Sequence, residues 1–372
     1  MKPRIVASLM ASLFLASTGT LHAGPVSFTE EEVLRLRSLA ASSREAAPWV
    51  QSIENQAQEA LALSPKPIGQ IQTAGQLKGS DAKERTQEAL KDMPRLRALG
   101  LAYALTGRED FRLKAGAYVL DWAKTCQPPE NPIDATNLEP LLESYDLIRV
   151  KMEAGDRKEA DDWVRSVAQT LLASDNPSKG THWNNWQAHR LKIVALSAFL
   201  LEDGGLEKTA LEEIQTLLSK NLNPDGTTLD FLERDALHYQ VYDLEPLIRA
   251  AMLYQRAQNI NLYDWKTDRG ASVSQCVAFT VPFATGGKTH AEYVHTTVKF
   301  DLQRAKNNEK GHEIGAAFPP QGALKCMELA QFFQPDLKPL VGTLAGKPDA
   351  AYPTLQILLN EATRTSLNPA KP

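Results

Sequence analysis

Cysteine is scarce in this chain of 372 residues, which contains only three. Cys126, Cys276 and Cys326 lie far apart in the sequence, so at most one disulfide can form and one thiol must stay unpaired. This usage excludes a disulfide framework and a cysteine-based metal site. A bridge between Cys276 and Cys326 stays open if the chain folds in an oxidising compartment.

Long hydrophobic runs are also missing, except for one short run near the N-terminus. The basic residues Lys2 and Arg4 precede an apolar stretch over residues 5–16, and a run of small residues ends at Ala23. This layout is typical of a secretory signal, and the apolar stretch is shorter than the roughly 20 residues that span a membrane. We therefore predict that residues 1–23 are a signal peptide cleaved near Ala23, and that the mature chain folds outside the cytoplasm without a membrane anchor.

The chain has no excess of positive charge. Its formal net charge is −4, and loss of the two charges of Lys2 and Arg4 with the signal peptide makes the mature chain more negative, about −6. Proteins that bind nucleic acid usually carry a basic patch or stripe. We therefore expect no nucleic acid partner.

Helical periodicity dominates the rest of the sequence. Apolar residues recur at helical spacing over residues 96–103 and 160–171, which predicts half-exposed helices. Residues 191–201 carry only Lys192 and Ser197 among apolar side chains, which predicts a helix buried on most sides. Such alternation predicts an all-α fold, an (α/α) toroid or incomplete barrel of antiparallel helical hairpins. A helical solenoid would give a similar pattern, but the sequence has no strict repeat of fixed period.

Two stretches lack the helical pattern. Residues 64–80 and 263–293 contain several Pro and Gly residues and are predicted to be long loops, which in compact domains are usually functional or disordered. Within the second stretch, the β-leaning run 277–283 predicts a small strand pair. We expect residues 24–365 to form one domain, followed by a frayed tail over residues 366–372.

Three segments are dense in polar residues that a plain helical scaffold does not need: 131–139, 181–190 and 233–242. In the second segment, Asn184 or Asn185 would cap the buried helix, and a helix N-terminus with amide side chains suits a carboxylate. In the third, positions 235, 238, 239 and 242 have the spacing of one helix face, with Arg234 at its edge. That face carries too many protic groups to be core, so we predict a polar site there.

These segments resemble the alginate lyase family of polysaccharide lyases. Asn184-Asn185-Trp186 opens the buried helix, and residues 236–247 read Ala-Leu-His-Tyr-Gln-Val-Tyr-Asp-Leu-Glu-Pro-Leu. The family pattern is Asn-Asn-His at the head of a helix, followed by Arg-Ala-Leu-x-Tyr-His-x-Tyr-Ala-Leu-x-Pro-Leu. The resemblance implies the (α/α) toroid, a periplasmic setting, and β-elimination on a uronic-acid polymer such as alginate. An anionic polysaccharide is then the expected partner.

The resemblance also carries individual residues. Asn185 falls on the family's carboxylate-neutralising Asn, and Tyr242 falls on the Tyr that serves as proton donor or base. Residues 131–149 resemble a segment of broader relatives, which would place Asn137, Glu139 and Tyr145 near the cleft.

Two positions depart from the family pattern. Trp186 stands where the family has its catalytic His, and Asp235 stands where the family has an Arg. Nearby substitutes exist, because His189 lies one turn further along the helix and Arg234 lies one residue earlier. We therefore expect a divergent lyase.

The chemistry explains the residue types. Removal of the C5 proton of a uronate creates an enolate-like charge that hydrogen-bond donors must hold. Tyr has a pKa of about 10 and acts as a base only where cations lower it, whereas His titrates near about 6.5, so His189 or His238 is the more natural base. Tyr242 would then protonate the leaving O4, although one Tyr can do both jobs from one side of the sugar. The predicted catalytic residues are Asn185, His189, Arg234, Tyr239 and Tyr242. The predicted substrate-binding residues are Asn184, Trp186, Gln187, His238, Asn137, Glu139, Tyr145, Lys288 and His290.

Other functions leave weaker signals. The run 286–289, Gly-Gly-Lys-Thr, is not a phosphate loop, because the glycine required five residues before Gly287 is Pro282. His290 and His295 lack the partner spacing of a metal site, so we expect neither a cofactor nor a metal.

Two rival functions stay open. A glycoside hydrolase on the same toroid could use paired carboxylates from Asp230, Glu233 and Asp235. A non-catalytic carbohydrate-binding periplasmic protein would explain the departures at Trp186 and Asp235 as lost chemistry.

Overall fold

The computed structural model describes residues 24–367, with side chains described as far as residue 363. The predicted signal peptide, 1–23, lies outside the described residues. The last helix continues to Leu367, and the remainder of the predicted tail, 368–372, also lies outside them.

The described part of the chain forms seventeen α-helices joined by loops and short 3-10 turns. The helices are α1 (Glu30–Ser42), α2 (Ala47–Leu61), α3 (Asp81–Ala89), α4 (Asp92–Thr106), α5 (Glu109–Thr125), α6 (Pro132–Ala135), α7 (Glu139–Ile148), α8 (Ala154–Ala173), α9 (Asn185–Leu200), α10 (Gly204–Asn221), α11 (Leu229–Arg234), α12 (Leu237–Gln258), α13 (Val273–Ala284), α14 (Lys299–Lys306), α15 (Leu324–Ala330), α16 (Lys338–Leu344) and α17 (Leu355–Leu367). None of these helices combines the length and apolar character needed to cross a membrane.

The helices are arranged in two layers. An inner layer runs through α4, α7, α9, α12 and α15, each packed on the next. An outer layer covers it: α2 and α5 pack on α4, α8 and α10 on α9, α13 on α12, and α16 on α15. Helices α1 and α17 pack on each other and on the two ends of the inner layer, α4 and α15. The predicted all-α toroid is therefore confirmed.

Helix α9 is the buried helix that the sequence predicts. All its residues except Trp186 are buried, because α7, α8, α10 and α12 surround it. Asn184 begins this helix as its N-cap, with its Oδ1 accepting a hydrogen bond from the Trp186 backbone N–H at 3.1 Å. Trp186 is thus the one half-buried residue of this helix.

Helix α4 is more buried than its predicted half-exposed pattern. It packs against α2, α5 and α7 and belongs to the inner layer. A Cβ at Gly100 would lie 2.5 Å from the Ser144 Oγ on α7, so the glycine permits a close approach of the two helices. Tertiary packing, rather than periodicity, decides the burial of this helix.

The predicted strand pair over residues 277–283 is wrong. These residues lie within α13, which begins at the N-cap Ser272 and packs its apolar face on α12. Among residues 24–367 the only β pairings are two isolated bridges, Leu222 with Thr228 and Ala291 with Ala317. Burial against a helical neighbour outweighs the β propensity of the Val- and Phe-rich run. The predicted loop over residues 64–80 is confirmed, since α2 ends before it and α3 begins after it.

The cysteines are free thiols. Cys126, Cys276 and Cys326 are all buried, and the bridge between Cys276 and Cys326 is not formed. Burial raises the thiol pKa of all three, which disfavours the reactive thiolate.

Candidate active site

A cleft of about 470 Å³ opens at one end of the inner helices. It lies between the loop 73–76, the first turns of α9 and α12, and helix α14. Its lining residues are Thr73, Ala74, Gly75, Gln76, Lys83, Ile133, Thr136, Asn137, Thr181, Asn185, Trp186, Arg234, His238, Tyr239, Tyr242, Phe300 and Arg304. This set contains three cations and, among the described residues, no carboxylate, so the cleft is suited to an anionic ligand.

The junction between α11 and α12 positions the third polar segment. Arg234 ends α11, and Asp235 follows with a left-handed backbone, φ 48°, so the chain turns before α12 begins. Asp235 is therefore not on the helix face that its spacing predicts. Its carboxylate accepts a hydrogen bond from the His295 backbone N–H at 2.8 Å. Glu292 caps α12 by accepting from the backbone N–H groups of Leu237 and His238 at 2.8 and 3.0 Å.

A buried carboxylate joins Asn185 to Arg234. Asp230, which is fully buried, accepts the Asn185 backbone N–H at 2.6 Å and its side-chain Nδ2 at 2.7 Å. The same carboxylate lies 3.3 Å from the Arg234 Nε, and Asp301 accepts from the Arg234 Nη1 at 2.5 Å. Two carboxylates behind the cleft thus fix an amide and a guanidinium that line it.

Tyr239 lies between two arginines. The Arg234 guanidinium carbon is 3.8 Å from the centre of the Tyr239 ring, and the Arg304 Nη1 donates to the Tyr239 hydroxyl at 3.3 Å. Burial raises the pKa of Tyr239, although both arginines oppose the shift. Arg304 and Lys83 also line the cleft and are not among the residues predicted from the sequence. For Arg304, the only local signal in the sequence was Phe300, which lies four residues earlier on the same helix, α14.

Tyr242 and His238 lie one turn apart on α12 and both line the cleft. Their rings are nearly parallel, with centroids 6.3 Å apart. Burial, reinforced by Arg304 and Arg234, lowers the pKa of His238 to about 4. Burial raises the pKa of Tyr242, so its phenol stays protonated near neutral pH. No described residue hydrogen-bonds to the Tyr242 hydroxyl, which leaves it available to a ligand in the cleft.

His189 does not line the cleft, contrary to its predicted catalytic place. Its ring packs on Tyr242 with centroids 4.6 Å apart, and its Nδ1 lies 3.0 Å from the Thr136 hydroxyl. Burial, with Lys192 nearby, holds the pKa of His189 well below its usual value. One turn beyond Asn185 the side chain therefore reaches behind Tyr242, so His189 packs against that ring and is absent from the cleft lining.

Of the predicted substrate-binding residues, Trp186, His238 and Asn137 line the cleft. The Asn137 Nδ2 donates to the carbonyls of Ile133 and Asp134, both at 3.0 Å, which fixes its amide beside α6.

Asn184 and Gln187 serve the scaffold instead. Asn184 is buried as the cap of α9. The Gln187 Nε2 donates to Asp175 at 2.9 Å and its Oε1 accepts from Arg190, so its amide is held away from the cleft. We correct both predictions for this reason.

Glu139 and Tyr145 point to other parts of the toroid. The Lys192 Nζ donates to Glu139 at 2.6 Å inside a second cavity. Burial raises the pKa of Glu139, but Lys192, Arg249 and Lys325 together lower it to about 2. The Tyr145 hydroxyl donates to Asp161 at 2.7 Å, and Tyr145 is fully buried. Neither side chain lines the cleft, because Glu139 lies in the second cavity and Tyr145 is directed toward α8.

Lys288 and His290 also lie outside the cleft lining. Lys288 is exposed, with its Nζ 6.0 Å above the Phe283 ring. The His290 Nε2 lies 3.0 Å from the carbonyl of Asp235 and 3.4 Å from its carboxylate. His290 therefore stabilises the α11–α12 junction.

None of the three carboxylates that a glycoside hydrolase would need lines the cleft. Asp230 is buried and bonded to Asn185, Asp235 faces the loop that contains His295, and Glu233 is absent from the cleft lining. Within residues 24–363, no group of three or more His, Cys, Asp or Glu side chains could hold a metal ion.

The comparisons with known proteins agree with this geometry. A crystal structure of an alginate lyase from Bacteroides ovatus aligns with a TM-score of 0.63 at 16% identity, covering 91% of this chain and 99% of that one. Alginate lyase A1-III from Sphingomonas species A1 aligns with a TM-score of 0.55 at 19% identity, covering 72% and 80%. A variant of alginate lyase A1-III complexed with tetrasaccharide aligns with a TM-score of 0.58 at 16% identity, covering 85% and 89%. No curated protein sequence matches the chain. The sequence model of the family described as alginate lyase matches residues 38–290, and the chain belongs to the alginate lyase family.

Proposed function

We propose that this chain cleaves a uronic-acid-containing polymer, alginate or a related polyuronate, by β-elimination in the periplasm. Membership of the family makes it a polysaccharide lyase, a carbon–oxygen lyase that acts on an alginate-like polymer. The observation that carries the proposal is a cleft with three cations, no carboxylate among its described lining residues, and a free Tyr242 hydroxyl. The tetrasaccharide complex of a structural relative supports an oligosaccharide as the occupant.

The first step neutralises the substrate carboxylate. Arg234 and the Asn185 amide line the cleft side by side, both held by Asp230. Donors fixed before the substrate arrives stabilise the charge that develops as the C5 proton leaves, and they need no reorganisation. Asn185 and Arg234 are therefore assigned to the carboxylate.

The second step moves two protons. His238 is neutral at pH 7, since its pKa is about 4, and can accept the C5 proton. As the C4–O4 bond breaks and the C4–C5 double bond forms, the protonated Tyr242 donates to O4. Both groups lie on one face of α12, which fits an elimination with base and acid on the same side of the sugar. Tyr239 holds Arg234 and Arg304 around this pair.

The activity assay is direct. The mature chain is incubated with alginate, glucuronan and glycosaminoglycans, and the ultraviolet absorbance of the unsaturated product is followed. A rise supports the lyase. Chain shortening without absorbance would support a hydrolase, and binding without cleavage would support a carbohydrate-binding protein; either result rejects the proposal.

Two variants assign the protons. Tyr242→Phe is expected to lower kcat by about 100-fold or more, the usual value of a positioned acid, while Tyr103→Phe on α4 serves as the matched control. His238→Gln is expected to lower kcat as well. Unchanged turnover by His238→Gln would show that Tyr242 performs both transfers.

The compartment needs its own experiment. The full chain and a chain that lacks residues 2–23 are expressed in a Gram-negative host, and the cells are fractionated. Recovery of the full chain in the periplasmic fraction with Gly24 as its first residue is the expected result. Equal cytoplasmic retention of both forms would contradict the export.

A further inference from the structure

A second groove adjoins the proposed active site. It has a volume of about 370 Å³ and shares Thr181 and Trp186 with the cleft. On its far side it reaches Asn131 and Arg190. A ligand that fills the cleft can therefore continue past Trp186 without leaving the surface of the protein.

Trp186 forms the division between the two cavities. It is the one residue of α9 that is not buried, and it lines both spaces. The indole cannot move the protons that the family's His moves at this position. Its broad apolar face suits packing against a sugar ring, which is how tryptophan commonly contributes to binding.

Arg190 supplies an unused hydrogen-bond donor. Its side chain is 7% exposed, and its Nη1 donates to Asp175 at 3.0 Å and to Gln187 at 2.5 Å. The buried Arg190 Nε has no hydrogen-bond partner, and no described residue accepts from Nη2. The Nε is closed off by the surrounding side chains, so Nη2 is the donor that a ligand in the groove can reach. A hydrogen bond from a guanidinium to a carboxylate is charge-assisted and therefore stronger than a neutral one.

The charged residues of the groove can accommodate one carboxylate of a ligand. Arg190 and the exposed Lys179 line it together with Asp175 and the exposed Glu130. Asp175 is already engaged by His182, Gln187 and Arg190, at 2.8, 2.9 and 3.0 Å. The groove is less positive than the cleft, so its recognition depends on the geometry of Arg190 more than on net charge.

We propose that this groove is a further subsite for the same polymer, in which the Nη2 of Arg190 binds the carboxylate of a second uronate residue and Trp186 packs against the sugar chain between the two cavities. The inference rests on the proposed function, since it extends the same substrate beyond the cleft. Its consequence is a preference for long chains over short oligomers.

The test uses purified oligouronides of increasing length with the mature chain. Arg190→Lys keeps a positive charge beside Asp175 but removes the Nη2 donor, and Lys179→Glu reverses the charge at the exposed rim. Lys208→Glu is the matched control, because Lys208 is exposed on α10 and lines neither cavity. Steady-state kinetics gives KM and kcat for each length, and calorimetry gives the affinity.

In the wild type, KM is expected to fall with length until the groove is occupied. Arg190→Lys and Lys179→Glu are expected to raise the KM for long oligomers about tenfold, with the effect on KM and not on kcat, since a charge-assisted carboxylate contact is lost. The same fold-change at every length, a fall in kcat alone, or no change with long oligomers would overturn the subsite.

The calorimetric measurement separates this inference from the activity. If the wild type forms no unsaturated product, the proposed function fails. The subsite then stands only if longer oligouronides bind the wild type more tightly than short ones and Arg190→Lys removes that difference.

Discussion

The Asp230 carboxylate is the most informative single position to change. It receives two N–H donors from Asn185 and lies beside Arg234, so the groups that bond to it are donors and a cation. Asp230→Asn keeps one acceptor oxygen and introduces an NH2 group toward one of these donors. The variant must therefore release either Asn185 or Arg234.

The magnitude follows from these contacts. Loss of one charge-assisted hydrogen bond costs about 1.5–3 kcal/mol, and removal of one partner of a buried ion pair costs about 3–5 kcal/mol. Asp301 still pairs with Arg234, which reduces the second cost. We expect a loss of about 3 kcal/mol in the free energy of unfolding. We expect kcat to fall about 100-fold, as when one fixed donor to a developing charge is removed.

A second buried aspartate provides the matched control. Asp243 is fully buried, and its Oδ2 accepts from the Asn221 Nδ2 at 2.6 Å while its Oδ1 has no partner among the described residues. Burial, with Asp230 nearby, raises the pKa of Asp243 well above its usual value, which favours the neutral acid. Asp243→Asn puts a neutral amide of the same shape in its place, and we expect a change below about 1 kcal/mol.

Urea unfolding and the ultraviolet absorbance assay measure both quantities at pH 8, where Asp230 is ionised although burial raises its pKa. The expected result is a large loss of stability and kcat for Asp230→Asn and near wild-type values for Asp243→Asn. Equal effects of the two substitutions, or full turnover by Asp230→Asn, would refute the reasoning about how Asn185 and Arg234 are held.

Three further predictions follow from other parts of the molecule. Arg304→Gln is expected to raise the KM for polyuronates about tenfold, because a cation of the cleft is lost. Lys306→Gln is the control, since Lys306 is exposed on the same helix. Equal effects of the two substitutions on KM would contradict a role of Arg304 in binding. Burial raises the pKa of Glu245 to about 7, so its stabilising contribution is complete below its unfolded pKa and is lost as pH rises through about 7. In urea titrations, wild type should therefore lose about 2 kcal/mol of unfolding free energy relative to Glu245→Gln between about pH 5 and about pH 8. A difference between the two proteins that does not change with pH would reject the raised pKa of Glu245. Gly100→Ala should lower the free energy of unfolding by about 1–3 kcal/mol, because the added Cβ would overlap α7. Gly155→Ala, whose added Cβ has no atom within 4 Å, should be neutral or stabilising in thermal unfolding. Similar losses of stability in both variants would contradict the packing argument.

The fold could be predicted from the sequence where the sequence has long, regular periodicity. The nearly uncharged run over residues 191–201 could only be stable as a buried helix, and α9 has that position. The strand prediction over residues 277–283 failed because propensity is weak compared with burial, and α12 offers a helical surface to pack on.

The site was readable where its residues are close in sequence. His238, Tyr239 and Tyr242 on the first turns of α12 all line the cleft, since helical spacing brings them to one side. Asn185 at the start of α9 joins them because α9 packs on α12. Asp235 failed as a member of that face because a left-handed residue interrupts the helix there. Local spacing predicts a shared face only while the helix is continuous.

The sequence by itself determined the helical class, the buried α9, the family and the paired Asn and Tyr groups, because each is recorded in short-range periodicity or in a contiguous motif. Only the tertiary structure decided that Arg304 and Lys83 join the cleft, that His189 lies behind Tyr242, and that Trp186 separates two cavities. These contacts join helices far apart in the chain, and the packing of side chains between helices sets them. No local pattern contains that information.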